Sequence, residues 1–248
     1  MEGELLPLRS GYVEERLDLL YASCMQNNFT LSCREPVFEK LLADLISCAI
    51  EPGSQIQEVQ AAARYGTSRT KLREAFVDLA ARDFVHLQKN KGAVAAPMDA
   101  ATVYSVFEAR IAAEKAASAL AAVRVTAEEK AALKAFAMEL EQARSADDLD
   151  AFFAIDRAIH DALATFSRNP LIAAQVQLMR AHTARCWHFY KDRGLRESAD
   201  FAGVTAILDA VAGGQPKEAA EAMHRHLSTY LAAFNEMLTN QFEALKWV

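Results

Sequence analysis

Residues 68–76 read SRTKLREAF, a run that combines three cations with two hydroxyl side chains and several apolar residues. The apolar positions recur with the period of a helix and predict one buried face, made of Leu72, Ala75, Phe76 and Leu79. Thr67 or Ser68 can cap this helix, because a hydroxyl oxygen accepts a hydrogen bond from a free backbone N–H. The polar side chains near its N-terminal end then point outward, namely Arg69, Thr70, Lys71 and Arg73.

Two helices are predicted before this one and a β-hairpin after it. Apolar spacing over 36–46 indicates a first helix, which the turn EPGS ends. A short second helix is expected over 56–64, and Gly66 suits the left-handed residue that closes it. After residue 83 the pattern alternates until KNKG at 89–92 interrupts it, which indicates a hairpin with a basic tip. This order of elements is that of a winged helix-turn-helix.

The chain from Asp99 onward has a helical pattern almost to its end. Breaks near 125, 145–148, 167–170, 194–197 and 213–216 divide it into about six helices. Thr126 and Glu129 form a capping-box pattern at the start of one of them. We therefore predict a mainly α protein with an N-terminal extension over 1–33, a winged helix-turn-helix domain with a small β-hairpin wing over 34–98, and an all-α bundle over 99–248.

The composition supports this helical fold. Of 248 residues, 52% are hydrophobic and only 8% are aromatic, and the abundant alanine has the best helix propensity. The four cysteines lack C-x-x-C spacing, so we expect reduced thiols. The sequence contains neither an apolar run of about 18 residues nor a signal-peptide pattern. We expect a cytoplasmic protein without a membrane partner.

The cations of 68–76 have two interpretations. A net charge of −6 argues against a generally basic surface but allows a local one. One interpretation is a helix end that enters the DNA major groove, where arginine can reach O6 and N7 of guanine. The other is an ordinary solvated face. A second basic element favours DNA, because Lys89 and Lys91 flank Asn90 at the hairpin tip and neighbouring cations can clamp the phosphate backbone.

The stretch from IEPGSQIQEV to KNKGAVAAP resembles the winged-helix domain of GntR-type transcription regulators, and the helical remainder resembles their FCD effector domain. The resemblance covers roughly 36–240, and its most specific motif is SRT-x-x-RE-A. It implies that Arg69 and Arg73 are the principal base or phosphate contacts. It implies supporting contacts from Ser68, Thr70 and Lys71, and a minor-groove approach by the wing residues Lys89, Asn90, Lys91 and Gly92. Such regulators are typically homodimers on palindromic operators.

The helical domain carries a candidate metal site. Asp156 and His160 are four residues apart on one helix and therefore share a face. His226 in the last helix could meet them across the bundle, and such a set suits zinc, nickel or manganese. A plain surface hydrogen bond between Asp156 and His160 is the alternative.

Metal-binding FCD domains, which this segment resembles, have a further histidine preceded by an acid. Here Val204 and Gly203 stand at those positions, so one ligand is lost. The site could keep a metal on three ligands with an open position, recruit His182 or Cys186, or bind its effector without metal. We expect the metal to be weakly bound or absent.

The predicted effector is a small carboxylate. Arg110 lies where related domains keep an arginine, and it could bind that carboxylate or pair with Glu114. His182 and Arg185 are further pocket candidates. We predict a ligand-responsive, DNA-binding regulator, and the resemblance implies that it is a repressor. The alternatives are a metal-dependent hydrolase that uses the Asp/His cluster and a structural dimer that does not bind DNA. The sequence shows no nucleophile elbow, P-loop or H-E-x-x-H, so no catalytic residue is expected.

Overall fold

The computed structural model describes residues 36–89, 92–195 and 199–245, with side chains as far as 239. The predicted extension over 1–33 lies outside the described residues. The N-terminal part contains, in chain order, α1 (Pro36–Ile46), β1 (Gln55–Ile56), α2 (Glu58–Tyr65), α3 (Arg69–Ala80), β2 (Val85–Gln88) and β3 (Gly92–Ala95). These elements share one hydrophobic core, and we refer to them as the head.

Helix α3 packs its apolar face on the core as the sequence predicts. Leu72, Phe76 and Leu79 are buried in one cluster with the apolar side chains of α1. Ser68, and not Thr67, caps the helix, since its hydroxyl accepts a hydrogen bond from the Lys71 N–H at 3.3 Å. The predicted orientation of α3 is thus confirmed, with its cationic end turned to solvent.

The head contains a strand that the sequence analysis missed. Residues 55–56 pair antiparallel with β3, which in turn pairs antiparallel with β2, so the sheet order is β1, β3, β2. The second helix was therefore predicted to begin too early, because Ile56 pairs its backbone with Ala93 and buries its side chain. A two-residue strand leaves no alternating pattern to detect.

The remaining chain forms a helical domain. Its helices are α4 (Ala100–Arg124), α5 (Ala127–Ala146), α6 (Leu149–Phe166), α7 (Pro170–Tyr190), α8 (Phe201–Ala212) and α9 (Pro216–Leu245), with a 3-10 turn over Lys191–Arg193. Asp99 caps α4, and Thr126 and Glu129 form the predicted capping box. Helix α4 packs against α6, α7, α8 and α9, so it is the central helix of the domain. Among the described helices, none has the length and apolar character needed to cross a membrane.

Helix α7 joins the head to the helical domain. It packs on both α1 and α4. The ring of His182 stacks on Phe84 at a centroid distance of 4.2 Å, and its Nε2 donates to the Arg82 carbonyl at 2.9 Å. Arg185 is fully buried, and its Nη2 donates to the Ala96 carbonyl. These contacts place α7 between the head and the rest of the helical domain.

We expect His182→Ala to destabilise the protein by about 1–3 kcal/mol, because it removes the stacked ring and leaves the partly buried Arg82 carbonyl without its donor. Urea denaturation of the purified variant measures this. The matched control is His188→Ala, on the same helix and half-buried. Equal denaturation midpoints for both variants would contradict the assigned role of His182.

Candidate DNA-reading face and buried carboxylate–histidine cluster

The N-terminal end of α3 presents its polar side chains to solvent. Thr70 and Lys71 are exposed, and the side chains of Arg69 and Arg73 keep 59% and 61% of their surface accessible. Free backbone N–H groups at this helix end favour an anion such as a phosphate. Four of the predicted DNA contacts therefore lie on one exposed surface, next to Ser68, which caps α3.

A carboxylate on α2 organises the two arginines. Oε1 of Glu58 accepts from Nε of Arg73 at 2.9 Å, and Oε2 lies 2.8 Å from Nη2 of Arg73 and 3.2 Å from Nη2 of Arg69. The hydrogen bond from Arg73 is the main cause that lowers the pKa of Glu58. Since both arginines are more than half exposed, these pairs contribute little to stability. Their effect is to fix the direction of two guanidinium groups.

The wing lies close to the same carboxylate. Gly92 has a φ of 78°, and a Cβ placed on it would lie 3.8 Å from Cγ of Glu58. Lys89 is exposed at the end of β2. The other two predicted wing contacts, Asn90 and Lys91, lie outside the described residues. The described part of the wing and the start of α3 thus flank Glu58, which the sequence analysis did not single out.

The helical domain brings the three predicted metal ligands together. Asp156 and His160 on α6 and His226 on α9 are all buried, and one potential ligand atom from each lies within 4.8 Å of the others. Oδ1 of Asp156 is 3.1 Å from Nε2 of His226 and 3.6 Å from Nε2 of His160. The alternative of a surface hydrogen bond is therefore wrong.

Each imidazole of this cluster has a second carboxylate behind it. Nδ1 of His160 contacts Oε2 of Glu114, and Nδ1 of His226 donates to Oδ2 of Asp200 at 3.0 Å. A carboxylate only accepts, so each Nδ1 carries the proton and each Nε2 is directed towards Asp156. A carboxylate behind a histidine in this way orients the ring and makes Nε2 a better metal ligand.

The charges of the cluster shift one another's ionisation. Burial opposes ionisation of Glu114 and Asp156, but their cationic and imidazole neighbours outweigh it. The pKa of Glu114 falls to about 2, and the pKa of Asp156 lies well below its usual range. Burial would likewise lower the pKa of His226, yet Asp156 and Asp200 raise it to about 9. The cluster thus combines ionised carboxylates with two cationic groups, the Arg110 guanidinium and a His226 imidazole that favours its protonated form.

Three buried polar atoms at this site make no hydrogen bond within the described part of the chain, namely Oδ1 of Asp156, Nε2 of His226 and the hydroxyl of Tyr230. Buried polar groups in native proteins are nearly always satisfied. The two atoms that face each other at 3.1 Å are a carboxylate oxygen and an imidazole nitrogen, both suited to a divalent cation. The donor set therefore fits such an ion.

The effector candidates lie in two separate places. Arg110 on α4 borders the cluster, with Nε 2.5 Å from Oε1 of Glu114 and Nη2 3.5 Å from Nε2 of His160. His182 and Arg185 lie instead at the contact between α7 and the head. The structure brings only Arg110 of the three to the cluster.

The missing ligand is not replaced by the predicted substitutes. Val204 is 1% exposed and belongs to the apolar core of the helical domain. Cys186 packs in a different apolar cluster with Met98 and Phe107, and His182 is at the head. The residue that does reach the site is Asp200, four positions before Val204, which the sequence analysis missed.

Two protein families match two separate parts of the chain. The model of bacterial regulatory proteins of the gntR family matches residues 34–94, and the FCD domain model matches residues 105–229. The chain belongs to the GntR family and carries an FCD domain. It is accordingly a DNA-binding transcriptional regulator.

Relatives of this GntR-family regulator are transcriptional regulators themselves. It is 34% identical to the Nta operon transcriptional regulator of Aminobacter aminovorans over 126 residues, which span 50% of this chain and 59% of that protein. It is 26% identical to the transcriptional repressor RspR of Escherichia coli over 160 residues, 64% and 70% of the two chains. The structure of E. coli McbR/YncC shares the fold, with a TM-score of 0.63, 17% identity and coverage of 81% and 96%.

We expect Glu58→Gln to lower the preference for a selected operator over scrambled DNA by about tenfold, because glutamine keeps only one of the two oxygens that hold the Arg73 guanidinium and carries no charge. Affinity for scrambled DNA should stay equal or rise, since a negative charge near the phosphates is removed. Fluorescence anisotropy with both duplexes measures the two affinities. The matched control is Glu74→Gln, exposed on α3. The same loss of preference in both variants would contradict the assigned role of Glu58.

Proposed function

We propose that this regulator is a homodimeric repressor whose FCD domain senses a small organic acid with the help of a weakly held divalent cation. The observation that carries the proposal is the buried cluster of Asp156, His160 and His226, in which Oδ1 of Asp156 and Nε2 of His226 have no hydrogen bond among the described residues. Because the three side chains come from α6 and α9, a ligand there bridges two helices of the domain.

Charge supports the involvement of a cation. Three carboxylates, from Glu114, Asp156 and Asp200, lie in or behind the cluster, and Arg110 already pairs with Glu114. Even with His226 protonated, as its raised pKa favours, a negative charge remains, and an organic acid would meet it unless further positive charge were present. When bound, a divalent cation supplies that charge and an open position for a carboxylate oxygen. Arg110 then stands beside the cluster to bind a second oxygen of the same acid.

The packing provides a route from the cluster to the head. Arg110 and Glu114 belong to α4, which packs on α7, and α7 contacts the head. A ligand regulates only if it binds one arrangement of the two heads more tightly than another. We therefore place the response in the position of α7 relative to α1, which sets how the two copies of α3 meet a palindrome.

For DNA, we expect Arg69→Ala and Arg73→Ala each to weaken binding about tenfold or more. Binding of a duplex selected from a random pool, measured at several salt concentrations, provides the affinities and the salt slope. The matched control is Lys40→Ala, which removes an exposed cation from α1 of the same head. Wild-type protein that binds no duplex even at low salt would overturn the regulator mechanism proposed here.

For the cation, we expect His160→Ala to abolish binding and Val204→His to strengthen it at least tenfold, because four donors hold an ion better than three. Position 204 is one helical turn after Asp200, so an imidazole there starts from the same face of α8. Titration with zinc, nickel and manganese chloride against a chelating indicator measures the affinities. A wild-type affinity that equals that of Val204→His would contradict the weakened site.

A further inference from the structure

Asp200 makes two contacts with its two carboxylate oxygens. It is the cap of α8, where Oδ1 accepts from the Gly203 N–H at 2.9 Å. Oδ2 accepts from Nδ1 of His226 on α9 at 3.0 Å. The fully buried His226 in turn directs Nε2 at Oδ1 of Asp156. One side chain therefore links the start of α8 to the cation cluster.

Gly203 makes the second contact possible. It lies inside α8 with ordinary helical backbone, so its conformation does not require glycine. The available space does require glycine, because a Cβ placed on Gly203 would lie 2.6 Å from Cγ of Asp200 and closer still to Oδ2. Carbon atoms do not approach a carboxylate that closely without displacement. Any other residue at 203 would push the Asp200 carboxylate away from its present place.

Capping alone does not explain this glycine. Five other described helices have a side-chain cap whose acceptor binds the N–H three residues on, and the third residue always has a side chain. The pairs are Ser68 and Lys71, Asp99 and Thr102, Thr126 and Glu129, Asp148 and Ala151, and Asn169 and Ile172. The space left at Gly203 thus serves the contact between Asp200 and His226.

We propose that Asp200 is a positioning residue for His226. Its carboxylate, which fits only because Gly203 has no side chain, holds Nδ1 of His226 protonated and leaves the lone pair of Nε2 free to bind the cation. Asp200 contacts Nδ1 of His226 and orients that ring, as Glu114 contacts Nδ1 of His160. The proposal rests on the cation of the proposed function and adds a residue outside its three donors. It also ties the cation to the start of α8, because the same carboxylate caps that helix.

The first test is Asp200→Asn. Different oxygens of Asp200 bind the Gly203 N–H and Nδ1 of His226, and asparagine keeps only one of them, so one of the two contacts is lost. Asparagine caps a helix as well as aspartate does, so the cap is the contact that remains. The amide nitrogen then faces Nδ1, which favours the imidazole with its proton on Nε2. We expect affinity for zinc, nickel or manganese to fall about 10- to 100-fold. Because the metal-free protein also loses a contact to His226, its melting temperature is measured to verify that the variant is folded at the temperature of the titration.

The second test is Gly203→Ala, which keeps Asp200 but fills the space that its carboxylate occupies. Alanine is the better helix former, so a purely local effect would stabilise the metal-free protein. We expect the same loss of cation affinity as in Asp200→Asn. The double variant should bind the cation no more weakly than the single variants do, because both changes remove the same contact between Asp200 and His226. The matched control is Asp209→Asn, on the exposed face of α8.

Chelator-competition titrations of the full chain separate the outcomes. A loss of cation affinity in both single variants, without a further loss in the double variant, supports the positioning role of Asp200. Wild-type affinity in Asp200→Asn, or a loss no larger than that of Asp209→Asn, overturns it and leaves the cation site standing. A wild-type protein that binds none of the three ions at about 1 mM overturns both the cation site and this proposal, whereas DNA binding would be unaffected.

Discussion

The helical domain depends on one chain of buried ionisable groups. It runs from Arg110 and Glu114 on α4 through His160 and Asp156 on α6 to His226 on α9. Charges removed from water are tolerated only when opposite charges lie close to them, so a shift of any of these helices would leave a costly unpaired group. Asp200 extends the chain to α8. The network therefore fixes how four helices meet, and it places the candidate ligand site at their junction.

Much of the fold could be predicted from the sequence because the deciding signals are local. The spacing of Leu72, Phe76 and Leu79 determines which side of α3 faces solvent, and Thr126 with Glu129 marks a helix start within four residues. Pairing between distant segments could not be predicted in this way. The strand at 55–56 is defined only by its partner β3, and the Glu58 contact with Arg73 requires the packing of α2 against α3.

The candidate ligands were predictable for the same reason, and their surroundings were not. The spacing of Asp156 and His160 gives one helix face, but the pairing of Asp200 with His226 joins residues 26 positions apart through a gap that only Gly203 leaves. His182 and Arg185 have the residue types of an effector pocket, yet their partners are backbone carbonyls of the head. Residue type suggests what a side chain can bind, whereas packing decides what it meets.

Charge balance explains why this cluster can serve as a sensor. With both imidazoles neutral, three carboxylates face one guanidinium, so the site lacks two positive charges. One divalent cation supplies both, whereas the proton that the raised pKa of His226 favours supplies one. A cation that enters must displace that proton, which weakens its binding compared with a site of neutral donors. An acid that binds the cation and Arg110 together shifts this competition towards the cation-bound state. The helices that carry the donors pack around α4, so binding can affect how these helices are arranged.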